Sequence, residues 1–220
     1  MNIVFDFAGV VFHWSPPGLL RQTLPQHAPD DDAARALMHA LFQGFVPGSD
    51  WADFDLGRIE PPELARRIAR RTGLREDEVQ AVIAAIPEHL AAHAPTVDLM
   101  HGLKRDGHRL FYLSNMPAPY AQHLERSHDF FHLFDDGIFS ARVQMMKPDA
   151  QIFHEAARRF GLAPEELVFI DDVAHNVEAA RALGWRALQF TGAEACAAAL
   201  AAGATSRDLR VAAPTAGDSM

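Results

Sequence analysis

The chain of 220 residues has a single cysteine, Cys196. No intrachain disulfide framework can form, and a reducing cytoplasm is the expected compartment. Positive charge is scarce: 20 Lys+Arg stand against 29 Asp+Glu, a formal net charge of -9. Nucleic acid and anionic membrane surfaces both require a basic face, so neither is an expected partner. Long apolar runs are also missing. The most apolar late stretch, 195–202, is far below the roughly 20 residues that cross a bilayer. The opening reaches an acid at Asp6 with no basic residue before it, the wrong pattern for a secretory signal. The rest is ordinary globular composition, with 49% hydrophobic and 22% charged residues. That suffices for one large domain, or a core plus a smaller partner, without a disulfide or metal staple.

Four short apolar runs end in turn signals. Asn2 to Phe7 ends at Ala8-Gly9, Arg109 to Leu113 at Ser114-Asn115, Leu167 to Ile170 at Asp171-Asp172, and Arg186 to Phe190 at Thr191-Gly192. Each is read as a buried strand. Helical periodicity separates the later ones, over 97–106, 149–160 and 174–183, with glycine stops at Gly107, Gly161 and Gly184. Strands alternating with helices predict an α/β fold: a Rossmann-like parallel sheet covered on both faces.

The stretch 16–93 differs. Helical patterns run over 31–43, 60–72 and 75–90 with no strand between them, and Pro61-Pro62 and Gly73 punctuate the second. The spacing predicts an all-helical cap inserted after the first strand. The core then comprises 1–15 and 94–205, with linkers near His13–Pro17 and His93–Thr96. Residues 206–220 lack periodicity and read as a disordered tail. The Ala-rich segment 193–204 reads as helical.

In an open parallel sheet, ligands bind beyond the carboxyl ends of the strands. Asp6, then Ser114-Asn115, then Asp171-Asp172 all fall at that edge, and Lys147 sits before a helix in Met146-Lys147-Pro148. Together they would supply a carboxylate nucleophile, a hydroxyl near a helix start, a cation, and an acidic pair suited to a hard metal ion. A carboxylate attacking phosphorus forms an acyl-phosphate. Bringing two anions together calls for countercharge, which Mg²⁺ and a lysine provide.

The segments FDFAGVVF (5–12), LSN (113–115), MKPDAQIF (146–153) and FIDDVAHNVEAARALGW (169–185), with FDLGRIEPPELA (54–65) in the helical block, resemble the haloacid dehalogenase (HAD) superfamily, in the branch with a helical cap. The resemblance covers nearly all of 1–190. It implies an HAD-like fold and a phosphatase dependent on Mg²⁺. Asp6 is then nucleophile and metal ligand. Ser114 and Asn115 contact the phosphate, and Lys147 neutralises Asp6 and a phosphate oxygen. Asp172 is the carboxylate metal ligand, Asp171 supports the metal's water shell or Lys147, and Asn176 orients the loop. Ala8 stands where most family phosphatases have a second Asp, leaving only a backbone carbonyl to face the metal. That Asp is an acid–base group, and such groups are typically worth about 10² to 10⁴ in rate. The family's bacterial glucose-1-phosphate phosphatases also lack it. An anomeric oxygen leaves readily, so a sugar 1-phosphate is one expected substrate, and His13 is a candidate substitute acid.

Two other functions compete. An L-2-haloacid dehalogenase would use Asp6 without metal, but that branch has an aromatic two residues after the nucleophile and a Ser-Ser-Asn loop late in the chain, where this sequence has Ala8 and Asp171-Asp172. A binding protein that has lost catalysis would explain Ala8 alone. The expected partner is therefore a small phosphorylated metabolite, bound by a monomer or homodimer. The pair His128 and His132 lacks a third ligand and reads as surface. Arg66, Arg67, Arg70 and Arg71 read as a solvated helix face. Trp14, Phe45, Trp51 and Phe54 read as core between helices, with the substrate entrance as the competing assignment.

Overall fold

A computed structural model describes residues 1–203. The expected tail, 206–220, lies outside the described residues. The first strand, β1 (Asn2–Phe5), is followed by five helices: α1 (Pro16–Thr23), α2 (Asp31–Phe42), α3 (Asp50–Asp55), α4 (Pro61–Thr72) and α5 (Glu76–His89). Then come α6 (Ala94–Arg105), β2 (Arg109–Ser114), α7 (Ala118–Ser127), β3 (Asp136–Phe139), α8 (Ser140–Val143) and α9 (Ala150–Phe160). The chain continues through β4 (Leu167–Asp171), α10 (Ala174–Ala182), β5 (Arg186–Gln189) and α11 (Ala193–Ala201). The five strands form one parallel sheet in the order β3-β2-β1-β4-β5.

β1 sits at the centre, and Ile3, Val4 and Phe5 are wholly buried. Because side chains alternate along a strand, the sheet builds two cores. Ile3, Phe5, Leu110, Tyr112, Val168 and Ile170 belong to one. Val4, Phe111, Leu113, Leu167 and Phe169 belong to the other, together with Ile152, Phe153 and Phe160 of α9 and Val177 of α10. The first core also contains Met100 of α6 and Leu200 of α11, and it runs without a break into the helical insert through Leu20, Phe42, Phe54, Leu64 and Ile86.

Sequence periodicity found four of the five strands and most helices to within a few residues. It missed β3, whose DGIF sequence carries a glycine and an acid and only two apolar residues. Packing explains the glycine: a Cβ on Gly137 would lie 2.2 Å from the Tyr112 ring. It also missed α1 and α3, short helices of 8 and 6 residues. The opening strand is shorter than expected, ending at Phe5, because the Phe7 carbonyl turns the chain by accepting the N–H groups of Val10, Val11 and Phe12.

The segments that enter and leave the insert are paired. Phe12 bridges antiparallel to Ala92, His13 N–H donates to the Ala91 carbonyl at 2.8 Å, and His93 N–H to the Val11 carbonyl at 2.8 Å. Among the described residues, no helix is long and apolar enough to cross a membrane.

Gly137→Ala is expected to destabilise the protein by about 1–3 kcal/mol, because the Tyr112 ring it would strike is itself packed among Phe7, Phe134 and Phe139. Urea unfolding checks this. The midpoint should fall with an unchanged slope, and an unchanged midpoint would mean that the ring moves aside freely.

Candidate active site

Asp6 stands one residue beyond β1, its N–H still donating to the Ile170 carbonyl of β4 at 2.9 Å. Its Oδ1 accepts the Phe7 N–H at 2.7 Å and lies 2.9 Å from Lys147 Nζ. The same ammonium is 2.6 Å from Asp171 Oδ2 and 5.3 Å from the centre of the Phe169 ring. The exposures of Asp6, Lys147 and Asp171 are 7%, 2% and 0%, so the contacts are dry and strong. Asp172 completes the group: one carboxylate oxygen from each of Asp6, Asp171 and Asp172 lies within 4.8 Å of the others.

Two carboxylates thus share one ammonium, with a third beside them. Burial pushes the Asp6 carboxyl up to about 7. Lys147 offsets this only in part, and Asp171 and Asp172 add repulsion. Burial disfavours the Lys147 charge, yet Asp171 and Asp6 together overcome it and raise the ammonium's pKa. Asp172 is raised by burial and by its neighbour Asp171.

Asp171 is fully engaged. Its Oδ2 accepts from Lys147 at 2.6 Å and from Asn176 Nδ2 at 3.0 Å, and its Oδ1 from the Val173 N–H at 2.8 Å. It therefore steadies the lysine, and Asn176 steadies it in turn. Asp172 Oδ1 and Ser114 Oγ, by contrast, are buried without a hydrogen-bond partner. Asp172 also abuts the first loop so closely that a Cβ on Gly9 would lie 2.4 Å from its Oδ2, and Gly9 has a φ of +86°. The glycine is required there on both counts.

Asn115 differs from expectation. Its Oδ1 accepts the Lys147 N–H at 2.9 Å and its Nδ2 donates to the Lys147 carbonyl at 3.0 Å. Its amide is a clamp on the lysine loop, and only the second amide hydrogen is left for phosphate. His13 is corrected outright as the substitute acid: it is exposed, packs edge-on to His93 at 4.7 Å, and lines no part of the cavity.

A cavity of about 620 Å³ opens over this cluster. Asp6, Ala8, Ser114, Asn115, Lys147, Asp172 and Asn176 all line it, so the residues singled out from sequence converge on one place, with Asp171 directly behind. The insert supplies the opposite wall, including Trp14, Phe45 and Trp51. Phe54 is core. The arginine face is as expected: Arg66 and Arg67 pair with Glu63, and Arg71 with Asp50. His132 bonds the Asp129 carbonyl and His128 packs on Phe12 and Phe130.

Sequence reasoning missed Asp55. This last residue of α3 is buried, lines the cavity, and has its carboxyl pushed up to about 8 by burial and by the nearby Asp6 charge. Its backbone carbonyl accepts from Ser140 Oγ at 2.5 Å, and that hydroxyl accepts the Met116 N–H at 2.8 Å. Ser140 thereby ties the insert to the loop after β2. The segment 54–65 stood out in the sequence, but an acid at a helix end carries no sign of burial.

A family model for haloacid dehalogenase-like hydrolases matches residues 1–184. The chain belongs to that family. It is similar to a sesquiterpene phosphatase of Aspergillus oryzae, 28% identical over 86% of this chain and 88% of the relative. Its fold matches that of a HAD family enzyme from Bacteroides thetaiotaomicron in complex with magnesium and inorganic phosphate. That match has a TM-score of 0.66 and 20% identity, and covers 86% of this chain and 92% of that one. The L-2-haloacid dehalogenase of Xanthobacter autotrophicus has the same fold at a TM-score of 0.65 and 17% identity, over 93% of this chain and 84% of that one. The comparisons support the hydrolase family and phosphatase relatives. They do not carry the narrower likeness to glucose-1-phosphate phosphatases.

The Asp55 carboxyl titrates at about 8 in the folded protein, against an ordinary value of 3.8. Below 3.8 both states are protonated. Between 3.8 and 8 only the unfolded chain ionises, so this group costs increasing stability as pH rises. Asp55→Asn should therefore melt above the parent at pH 8 and converge with it near pH 4, as thermal unfolding across pH will show. A constant offset would mean that the carboxyl is not held neutral.

Proposed function

We propose that this hydrolase is a Mg²⁺-dependent phosphatase that cleaves a small phosphate monoester through an aspartyl-phosphate on Asp6. The observation that carries the reading is the charge imbalance at the cavity floor. Asp6 and Asp171 share one ammonium and Asp172 stands beside them, leaving two negative charges uncompensated when all three acids are ionised. The donors are hard oxygens, and Asp172 Oδ1 is buried without a partner, which fits a divalent hard cation. Asp6, Asp172 and the Ala8 carbonyl would hold it. Bound Mg²⁺ supplies positive charge that lets a carboxylate and a phosphate dianion meet.

The chain's own groups do the rest. The Asp6 carboxylate attacks phosphorus, the bond from phosphorus to the ester oxygen breaks, and that oxygen leaves as an alkoxide that takes its proton from water. Water then attacks the acyl-phosphate and releases inorganic phosphate and the free carboxylate. Lys147 holds Asp6 in place and adds a fixed positive charge beside the phosphoryl oxygens. The unpartnered Ser114 hydroxyl supplies a donor to one of those oxygens. Asn115, Asn176 and Asp171 act through Lys147 as positioning residues. With Ala8 in place of an acid, no side chain at that position protonates the leaving oxygen. The acidic group favours this reading over the dehalogenase, whose chemistry needs no cluster of this kind.

Asp6→Asn should abolish phosphate release, a loss of at least about 10³-fold, while circular dichroism and melting show a folded protein. Turnover persisting in that variant would refute the covalent route, and turnover surviving excess chelator would refute the metal. Gly9→Ala should lower the Mg²⁺ affinity by about 10-fold or more, because its Cβ displaces Asp172. Calorimetric titration with Mg²⁺ reads this directly, and an unchanged affinity would remove Asp172 from the ligand set.

A further inference from the structure

Away from the acidic cluster the cavity wall is mostly apolar, its free side-chain hydrogen-bonding groups being the indole N–H of Trp14 and of Trp51, Asp55 and His175. Trp14, Phe45, Val46, Trp51, Ile86 and Leu90 line it. Tyr120 also lines it, but its hydroxyl is already spent on the Ile83 carbonyl at 2.8 Å, so it offers the cavity only its ring. Asp55 is the single ionisable side chain that the insert contributes to this wall.

The segment at the mouth is unusual in two independent ways. Gln43, Gly44 and Phe45 have successive φ values of 50°, 64° and 56°, a left-handed run that costs free energy at the two residues bearing side chains. The run brings Phe45 into the cavity, stacked on Phe42 at 5.2 Å. Next to it, Val46 is 54% exposed, and Met1 is the only other large apolar residue exposed among the described residues. An exposed valine continuous with an apolar wall extends the greasy surface to the rim.

From these walls we infer that the alcohol half of the ester is a hydrocarbon chain. The inference rests on the phosphatase reading above and narrows its substrate class. A sugar or a nucleoside would bury several hydroxyls against a lining with too few polar groups to answer them all, and each unanswered hydroxyl is costly. A hydrocarbon loses nothing there and gains the burial of its methylenes. The size agrees. At on the order of 30 Å³ per heavy atom, 620 Å³ holds a phosphate and a chain of roughly ten to fifteen carbons. The phosphate end would lie on Ser114, Lys147 and the acidic cluster, and the chain would run along Trp51, Ile86 and Leu90 towards Phe45 and Val46.

The test is phosphate release by the full chain, with Mg²⁺, from a series of monoalkyl phosphates from ethyl to dodecyl below their micelle concentrations. Glucose 1-phosphate and acetyl phosphate are run beside them. The expected result is that kcat/KM climbs about 2- to 4-fold per methylene until the cavity is full, and that decyl phosphate exceeds glucose 1-phosphate by at least about 100-fold. Phe45→Asn suits the left-handed backbone and Val46→Asp lies on the surface, so both should fold. Each should flatten the dependence on chain length. Release from acetyl phosphate or glucose 1-phosphate with no gain along the alkyl series would overturn the hydrocarbon inference and leave the phosphatase standing. No release from any phosphate would overturn both.

Discussion

The molecule turns on one buried ammonium. Lys147 has almost no access to water, yet it holds Asp6 and Asp171 within hydrogen-bonding distance. A buried cation survives only with partners of this quality, and removing any one of the three would strand charge in a dry interior. The surroundings are built accordingly. Asn115 grips the backbone of Lys147 on both sides, Asn176 braces Asp171, and the small cluster of Ala52, Leu56 and Met146 seats the lysine loop against α3. The neighbouring Asp172 stays free of such bonds on one oxygen. Full satisfaction on one carboxylate and an orphan atom on the next divide the doublet into a bonded half and a half with an oxygen to spare.

Fold and chemistry are joined through the carboxyl ends of the strands. β1, β2 and β4 are adjacent, so whatever follows them must meet at a single edge. The helical insert leaves from that edge and returns to it along a paired segment, which brings its aromatic and aliphatic side chains over the acids. An apolar roof above a charged floor produces opposite demands on the two ends of a ligand.

Much of this was readable from sequence because strong periodicity and turn chemistry mark buried strands. Asp6, Ser114, Lys147, Asp171 and Asp172 each follow or adjoin such a run, and topology alone carries them together. The role of Asn115 was not readable, since hydrogen-bond partners 32 residues away leave no trace in local pattern. Nor was the burial of Asp55, because burial of a polar side chain depends on what packs over it. His13 misled for a related reason: nearness along the chain to Asp6 did not survive the turn at Phe7, which sends the following residues towards His93. β3 escaped notice because its glycine is demanded by a ring on another strand, and its short sequence looks like a loop.

The central placement of β1 has a consequence for biosynthesis. β1 is flanked by partners that begin more than a hundred residues later in the chain, at Arg109 and Leu167. Until both have been made, β1 lacks both strands that pair with it. Contacts so distant in sequence close slowly, and a nascent chain trailing an uncovered apolar strand is prone to aggregation. The edge where the acids meet is thus completed only once β4 has been made.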